Sequence, residues 1–112
     1  MATTYKVLAQ ETLTADTNTD VYSVPAGKSA VISTIAICNL TASAATYRIA
    51  VTSSATAASA VTNAQHIAYD VSIPANDTVA LTLGVTAEAG KKIVARSNSA
   101  SVAFNLFGSE VS

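Results

Sequence analysis

Side chains able to carry acid–base or nucleophilic chemistry are few in this 112-residue sequence. His66 is the single histidine, and an extended strand would put it on the same face as Asp70. Four residues of strand separate the two by about 13 Å, too far for a carboxylate to orient a histidine base. Cys38, the single cysteine, lies in the most apolar segment, where a thiol packs as a small buried hydrophobe. We therefore expect no enzyme, no catalytic residues and no cofactor.

One segment has metal-ligand spacing. Asp16, Asn18 and Asp20 alternate as the oxygen ligands at the start of an EF-hand calcium loop do. The sixth position, which needs glycine for its turn, is Val21, and the twelfth, which needs glutamate, is Gly27. The sequence therefore predicts no metal ligands, and it leaves open whether this turn binds calcium weakly.

The charge content excludes several classes of protein. Only 12% of the residues are charged and the net charge is -1, whereas soluble domains are about one-quarter charged. Nucleic-acid binding needs a positive field that this chain lacks. Residues 1–10 lack the order of a signal peptide, and no apolar run approaches the roughly 18 residues of a membrane span. We expect a protein made in the cytoplasm that contacts neither membrane nor nucleic acid, and whose charge-poor surface is covered by other copies or by a partner.

The apolar pattern favours strands throughout. Val, Ile and Thr dominate the sequence, and their branched Cβ atoms suit a pleated sheet. Period-two alternation is clearest at 46–52, 65–72, 78–84 and 101–107, segment 30–40 is apolar on both faces, and further strands are expected at 5–10, 19–24 and 92–97. The prediction is an all-β, single-domain antiparallel β-sandwich or jelly roll of seven or eight strands spanning residues 1–112.

The same alternation predicts the core and the connections. The expected core residues are Ile35, Ile37, Tyr47, Ile49, Val51, Ile67, Tyr69, Val71, Leu81, Leu83, Phe104 and Leu106. Pro25 and Pro74 each begin a tight turn in which Gly27 and Asn76 tolerate a left-handed backbone. The polar segment 53–63 reads as a long loop able to lie on a partner, with at most one helical turn.

Four segments together resemble the small structural proteins of tailed bacteriophages. They are YKVLAQ at 5–10, DVYSVPAGK at 20–28, AVISTIAICN at 30–39 and VAFNLFGSEV at 102–111. The resemblance implies a β-sandwich built into the virion in many copies, with no catalytic residues. It is best matched by a capsid decoration or cement protein that forms a homotrimer, binds the major capsid protein of the assembled shell and stabilises it.

Two other interpretations stay open. A neck or tail accessory protein would have the same fold but a much lower copy number in the particle. A carbohydrate-binding β-module needs exposed aromatic rings, yet the chain has no Trp, and Tyr47 and Tyr69 are predicted to point inward. For a cement protein we expect the ends, residues 1–4 and 108–112, to extend as arms that reach neighbouring subunits.

Overall fold

The computed structural model describes residues 2–82 and 84–112, so the core prediction for Leu83 lies outside the described residues. Within these ranges the chain forms nine strands: β1 (Thr3–Thr12), β2 (Thr19–Ser23), β3 (Ser29–Asn39), β4 (Ala45–Ser53), β5 (His66–Ile73), β6 (Thr78–Leu81), β7 (Val85–Ala87), β8 (Lys91–Ser97) and β9 (Val102–Val111). The segment predicted as one strand at 78–84 is followed by a second short strand, because Gly84 adopts a positive φ between β6 and β7. No helix in the described part of the chain has the length and apolarity to cross a membrane.

The strands form two antiparallel sheets, as predicted for an all-β sandwich. One sheet has the order β1-β9-β3-β6, with β7 also pairing with β3, and the other has the order β2-β8-β4-β5. The first strand therefore lies beside the last, and the second beside the last but one. With the short β7 set aside, this nesting is the strand order of a jelly roll.

The core between the sheets contains most of the predicted residues. Ile35, Ile37, Tyr47, Ile49, Phe104 and Leu106 are fully buried, and Val51 and Leu81 pack partly buried against them. Ile93 on β8 and Val102 on β9 are also in the core. The predicted core contained no residue of β8, and of β9 it contained only Phe104 and Leu106.

Strand β5 departs from the predicted pattern. Ile67, Tyr69 and Val71 were expected in the core, but they are 43%, 52% and 38% exposed. Val71 pairs with the buried Tyr47 and so faces inward, but β5 is the edge of its sheet and no further strand covers it. The prediction for these three residues is wrong, since alternation alone reports neither an edge nor an irregularity.

Strand β5 has two irregularities in its pairing with β4. One leaves Ile67 as an extra residue between Ala68, opposite Ile49, and His66, opposite Ala50. The other is a β-bulge at Asp70. Tyr47 pairs with Val71 and Ile49 pairs with Ala68, so that two residues, Tyr69 and Asp70, oppose Arg48 alone. Asp70 adopts a left-handed backbone with φ of 50°, which is uncommon for a residue with a side chain. One extra residue reverses the side to which preceding residues point. The bulge therefore turns Tyr69 outward and Ala68 toward the core.

Strand β3 contains a similar reversal. Ile32 pairs with Gly108 and Thr34 with Phe107, which leaves Ser33 as the extra residue. As a result Ile32 is buried and Val31 faces outward, whereas uninterrupted alternation would place Val31 on the same face as the buried Ile35 and Ile37. A Cβ atom built on Gly108 would lie 1.9 Å from the Val31 carbonyl oxygen, so only glycine fits opposite this bulge.

The polar connection after β4 lies on its own sheet rather than projecting toward a partner. It forms two 3₁₀ turns, Ala58–Ala60 and Asn63–Gln65, and the Asn18 side chain donates a 3.0 Å hydrogen bond to the Ala58 carbonyl. Asn18 immediately precedes β2, at the far edge of the sheet from β5. The connection therefore crosses the outer side of this sheet, where Ala50 and Val94 are 2% and 3% exposed.

The chain ends also lie in the sheet. Residues 3–4 and 108–111, expected as arms, belong to β1 and β9 and pair with each other. The backbone N–H of Ala2 donates to the Ser112 carbonyl, and that of Ser112 donates to the Ala2 carbonyl. Residues 2–4 and 108–112 are therefore part of the folded domain rather than arms, and the predicted arm residue Met1 lies outside the described residues.

Candidate functional site

The residues considered for catalysis do not form a catalytic group. Nδ1 of His66 lies 3.1 Å from the Thr62 carbonyl oxygen, whereas Asp70 binds Arg48. Cys38 is half-buried on the outward side of β3, where it pairs with Ala103, and is not the buried hydrophobe that was predicted. Cys38 alternates with the buried Ile37, so it points outward, and it was expected to be buried because this strand was predicted to be covered on both faces.

The alternating oxygen ligands at 16–20 are engaged by cations of the chain itself. Oδ1 of Asp20 forms an ion pair of 2.9 Å with Nζ of the buried Lys92, and Oδ1 of Asp16 lies 3.8 Å from Nη2 of Arg96. Among the residues that the structure describes, no group of three or more His, Cys, Asp or Glu is arranged to hold a metal ion. The two carboxylates therefore act as ion-pair partners in this turn.

The outer side of the sheet formed by β1, β9 and β3 is the most unusual surface of the described chain. Its outward residues follow directly from the strand register: Thr3, Tyr5, Val7, Gln10 and Thr12 on β1; Val111, Ser109, Phe107, Asn105 and Ala103 on β9; and Ser29, Val31, Thr34, Ala36 and Cys38 on β3. None of these residues carries a charge. We call this surface the neutral face.

The neutral face ends at an unpaired strand edge. β1 pairs with β9 on one side and is the last strand of its sheet on the other. Two apolar side chains project from it into solvent, Tyr5 at 85% exposure and Val7 at 48%. Edge strands are ordinarily protected by charge, by bulges or by another element. β1 has a bulge at Leu8 and carries Lys6 and Glu11, but both charged residues alternate with the outward Tyr5, Val7 and Gln10 and so leave its outward side uncharged. A long edge beside an uncharged face is typical of a surface that contacts another protein.

A shallow cleft of about 500 Å³ lies on the neutral face. Tyr5, Val31 and Phe107 line it, together with Ser33, Ser109, Gly108 and Lys6. These residues come from three adjacent strands, and the charged one, Lys6, has its ammonium 3.2 Å from Glu110. The cleft can therefore accept an apolar side chain of a partner beside a lysine that already has an ion-pair partner.

Charged residues on β9 and β1 pair with each other at the margin of this face. Glu110, on β9, is 4% exposed and binds the hydroxyl of Tyr22 at 2.5 Å and the Lys6 ammonium at 3.2 Å. Lys28 adds a weaker ion pair at 3.7 Å. The hydrogen bond from Tyr22 is the main cause that lowers the pKa of Glu110, against the opposing effect of burial. Glu110 and Lys6 thus compensate each other, with Lys6 44% exposed beside the cleft and Glu88 bordering Ser29 and Val31 at another margin. The outward residues of the three strands themselves are uncharged.

The outer side of the other sheet has the opposite character. Arg48 on β4 and Arg96 on β8 lie directly opposite each other. Two like charges in this position repel and destabilise the sheet unless each has a counter-charge. Asp70 compensates Arg48 through two hydrogen bonds, from Nε at 2.6 Å and from Nη2 at 3.1 Å, and Asp16 lies near Arg96. These bonds lower the pKa of Asp70 and raise that of Arg48, so the pair stays ionised.

Two aromatic rings border the arginine pair. The Arg48 guanidinium carbon lies 4.1 Å from the centre of the Tyr69 ring, and the His66 ring meets Tyr69 edge-on, with centres 4.9 Å apart. We call Arg48, Arg96, Asp16, Asp70, Tyr69 and His66 the arginine cluster. This cluster could not be predicted from the sequence, because it depends on the β5 bulge and on the β4–β8 register, neither of which has a local sequence signal.

No known protein family, no curated protein and no solved structure matches this chain. The two surfaces therefore have to be interpreted from their own chemistry.

Proposed function

We propose that the protein is a virion structural protein, a capsid decoration or cement protein of a tailed bacteriophage that stabilises the assembled shell. The single observation that carries the proposal is the neutral face beside the unpaired edge of β1. In this proposal the face lies on the major capsid protein, and neighbouring copies, most simply a homotrimer, associate along the β1 edge. The protein has no chemistry of its own.

The size and composition of the neutral face suit such a contact. Three strands about 4.8 Å apart and about 33 Å long cover about 500 Å². A standard protein–protein interface buries about 800 Å² per partner, so this face could supply more than half of that area. Interface cores are depleted in charge because burying an ion without a partner is costly. The outward residues of the three strands require no desolvation of a charge, and Lys6 at the cleft is already paired with Glu110.

The fold and the sequence resemblance support the same interpretation. Jelly rolls recur in viral capsid proteins, but they also occur in unrelated proteins. The fold therefore supports a virion function only by analogy. The segments similar to phage structural proteins include 5–10, 30–39 and 102–111, and these overlap β1, β3 and β9, the strands that form the neutral face. Attachment would add stability to the shell by mass action, in proportion to occupancy.

The copy number in purified particles tests the proposal. Quantitative mass spectrometry should find hundreds of copies of this protein for a shell decoration. A count of about 6, 12 or 15 would replace the cement function with a neck or tail function, where ring symmetry sets the number. Absence from the particles would contradict both.

A further inference from the structure

We propose that the arginine cluster is a binding site for a neutral carbohydrate, with Tyr69 as the platform and the Arg48–Asp70 pair as the group that recognises hydroxyls. This activity is separate from shell attachment, because the cluster and the neutral face lie on opposite sides of the sandwich. A copy of the protein that is attached to the shell would therefore still expose the arginine cluster.

Tyr69 supplies a fixed, exposed aromatic surface. Its side chain is 52% exposed although the strand alternation assigns it to the core. The Arg48 guanidinium lies over one face of the ring, 4.1 Å from its centre, and His66 meets the ring edge-on, so a sugar would stack on the other face. These contacts hold the ring in one orientation, so binding costs little additional conformational freedom. An aromatic side chain with one apolar surface and a polar tip suits the C–H groups of a sugar ring.

The Arg48–Asp70 pair offers donors and acceptors side by side. Asp70 accepts from Nε of Arg48 through Oδ1 and from Nη2 through Oδ2. Each carboxylate oxygen keeps a further lone pair, and the guanidinium has five N–H donors in all. Two neighbouring hydroxyls of a sugar both donate and accept, and they match this planar arrangement. A ligand with only acceptors, such as phosphate, uses only the arginine half.

The net charge of the arginine cluster disfavours an acidic ligand. Arg48 and Arg96 are matched by Asp70 and Asp16, which lie within 4 Å of them. A site of balanced charge has no long-range field to concentrate a polyanion. The same balance leaves the polar groups available for hydrogen bonds to an uncharged, hydroxyl-rich ligand.

Two clefts lie at the arginine cluster, one at the Arg48–Asp70 pair and one at Tyr69 and His66. One, of about 250 Å³, is lined by Thr46, Arg48, Asp70, Arg96 and Asn98 among others. The second, of about 370 Å³, is lined by Asn63, His66 and Tyr69. Small-molecule sites occupy about 300 to 1,000 Å³, so the two clefts together have room for more than one sugar unit. Their open shape suits a chain that crosses the surface.

NMR titration of the ¹⁵N-labelled full chain tests the site. The probes are neutral oligosaccharides of glucose, mannose, galactose and N-acetylglucosamine, with oligogalacturonate and inorganic phosphate as acidic comparisons. We expect saturable shifts at Tyr69, His66 and Asn63 with at least one neutral probe. Tyr69→Ala should weaken binding by about tenfold or more, Tyr69→Phe should retain it, and Tyr5→Ala, which removes an exposed ring from the neutral face, should leave it unchanged.

Three results would overturn this proposal. They are the absence of saturable shifts with every neutral probe at about 20 mM, equal affinity in Tyr69→Ala, and binding of the acidic probes alone. Preserved amide spectra of the variants would show that each one folds. The copy number in the particle does not enter this test, so the carbohydrate site and the structural function can fail independently.

Discussion

The hydroxyl of Tyr22 donates a 2.5 Å hydrogen bond to Oε2 of Glu110, and this bond joins the two sheets across the interior. Tyr22 belongs to β2 and Glu110 to β9, and both are buried. Burial raises the pKa of Tyr22 above its ordinary value, and the adjacent carboxylate raises it further. The pair therefore holds a phenol hydrogen and an ionised carboxylate together where water has little access.

Removing the hydroxyl should destabilise the fold. Tyr22→Phe deprives the buried Glu110 of its shortest hydrogen bond, and leaving a buried acceptor short of a partner costs about 1–3 kcal/mol. Urea unfolding at pH 7 measures the change. Tyr5→Phe is the control because its ring is 85% exposed. Equal stability of the two variants would show that the bond contributes nothing.

Acid should weaken the protein through Glu110. Tyr22, Lys6 and Lys28 face the carboxylate and hold its pKa below the ordinary value of about 4.3. A pKa lowered by folding contributes stability that is complete above the unfolded-state pKa and is lost as pH falls through the folded-state pKa. Between about pH 5 and pH 2 the unfolding free energy should therefore fall more steeply in the wild type than in Glu110→Gln. The variant keeps the smaller slope due to Asp70, and identical slopes would contradict this role.

Two isoleucines near the β5 bulge test the corrected core. Ile49 is fully buried, whereas Ile67 is 43% exposed. Ile49→Ala should cost about 2–5 kcal/mol because it leaves a cavity, and Ile67→Ala should cost less than about 1 kcal/mol. Denaturant unfolding of the two variants measures both losses in the free energy of unfolding. Equal losses would mean that Ile67 faces the core, as alternation alone predicts.

Period-two patterns were sufficient to predict the sandwich and most of its core. Tyr47, Ile49, Phe104 and Leu106 alternate without interruption, so their faces could be read directly. The turns were predictable as well, since Gly27 and Asn76 both adopt the expected positive φ. The sequence was sufficient in each case because the side to which a strand residue points, and the conformation of a turn, depend on immediate neighbours along the chain.

The surfaces were less predictable because they depend on strand register. Tyr69 and Val31 changed faces through bulges at Asp70 and Ser33, and a bulge moves side chains without changing composition. The low charge content pointed to a covered surface but not to its position. Only the pairing of β1, β9 and β3 brings uncharged positions such as Tyr5 and Ser109 together.

The unpaired edge of β1 should make copies associate. Purified protein at micromolar concentration is expected to sediment as an oligomer. Tyr5→Lys places a charge on the edge strand, a device by which proteins prevent edge-to-edge pairing, and should shift the protein toward monomer. Leu40→Lys is the control, since Leu40 is 59% exposed but lies in the loop after β3. A wild-type monomer, or equal association of the two variants, would exclude the edge as the contact.

Binding to shells assembled without the protein tests the central claim most directly. Ser109 lies in the middle of the neutral face, whereas Ser101 is exposed in the turn before β9. Co-sedimentation should show that Ser109→Asp binds shells about 100-fold more weakly than wild type, because the interface would bury an unpaired charge. Ser101→Asp should bind as wild type does. Undiminished binding by Ser109→Asp, or no binding of the wild-type protein to shells, would contradict the assignment of the neutral face as the surface that attaches to the virion.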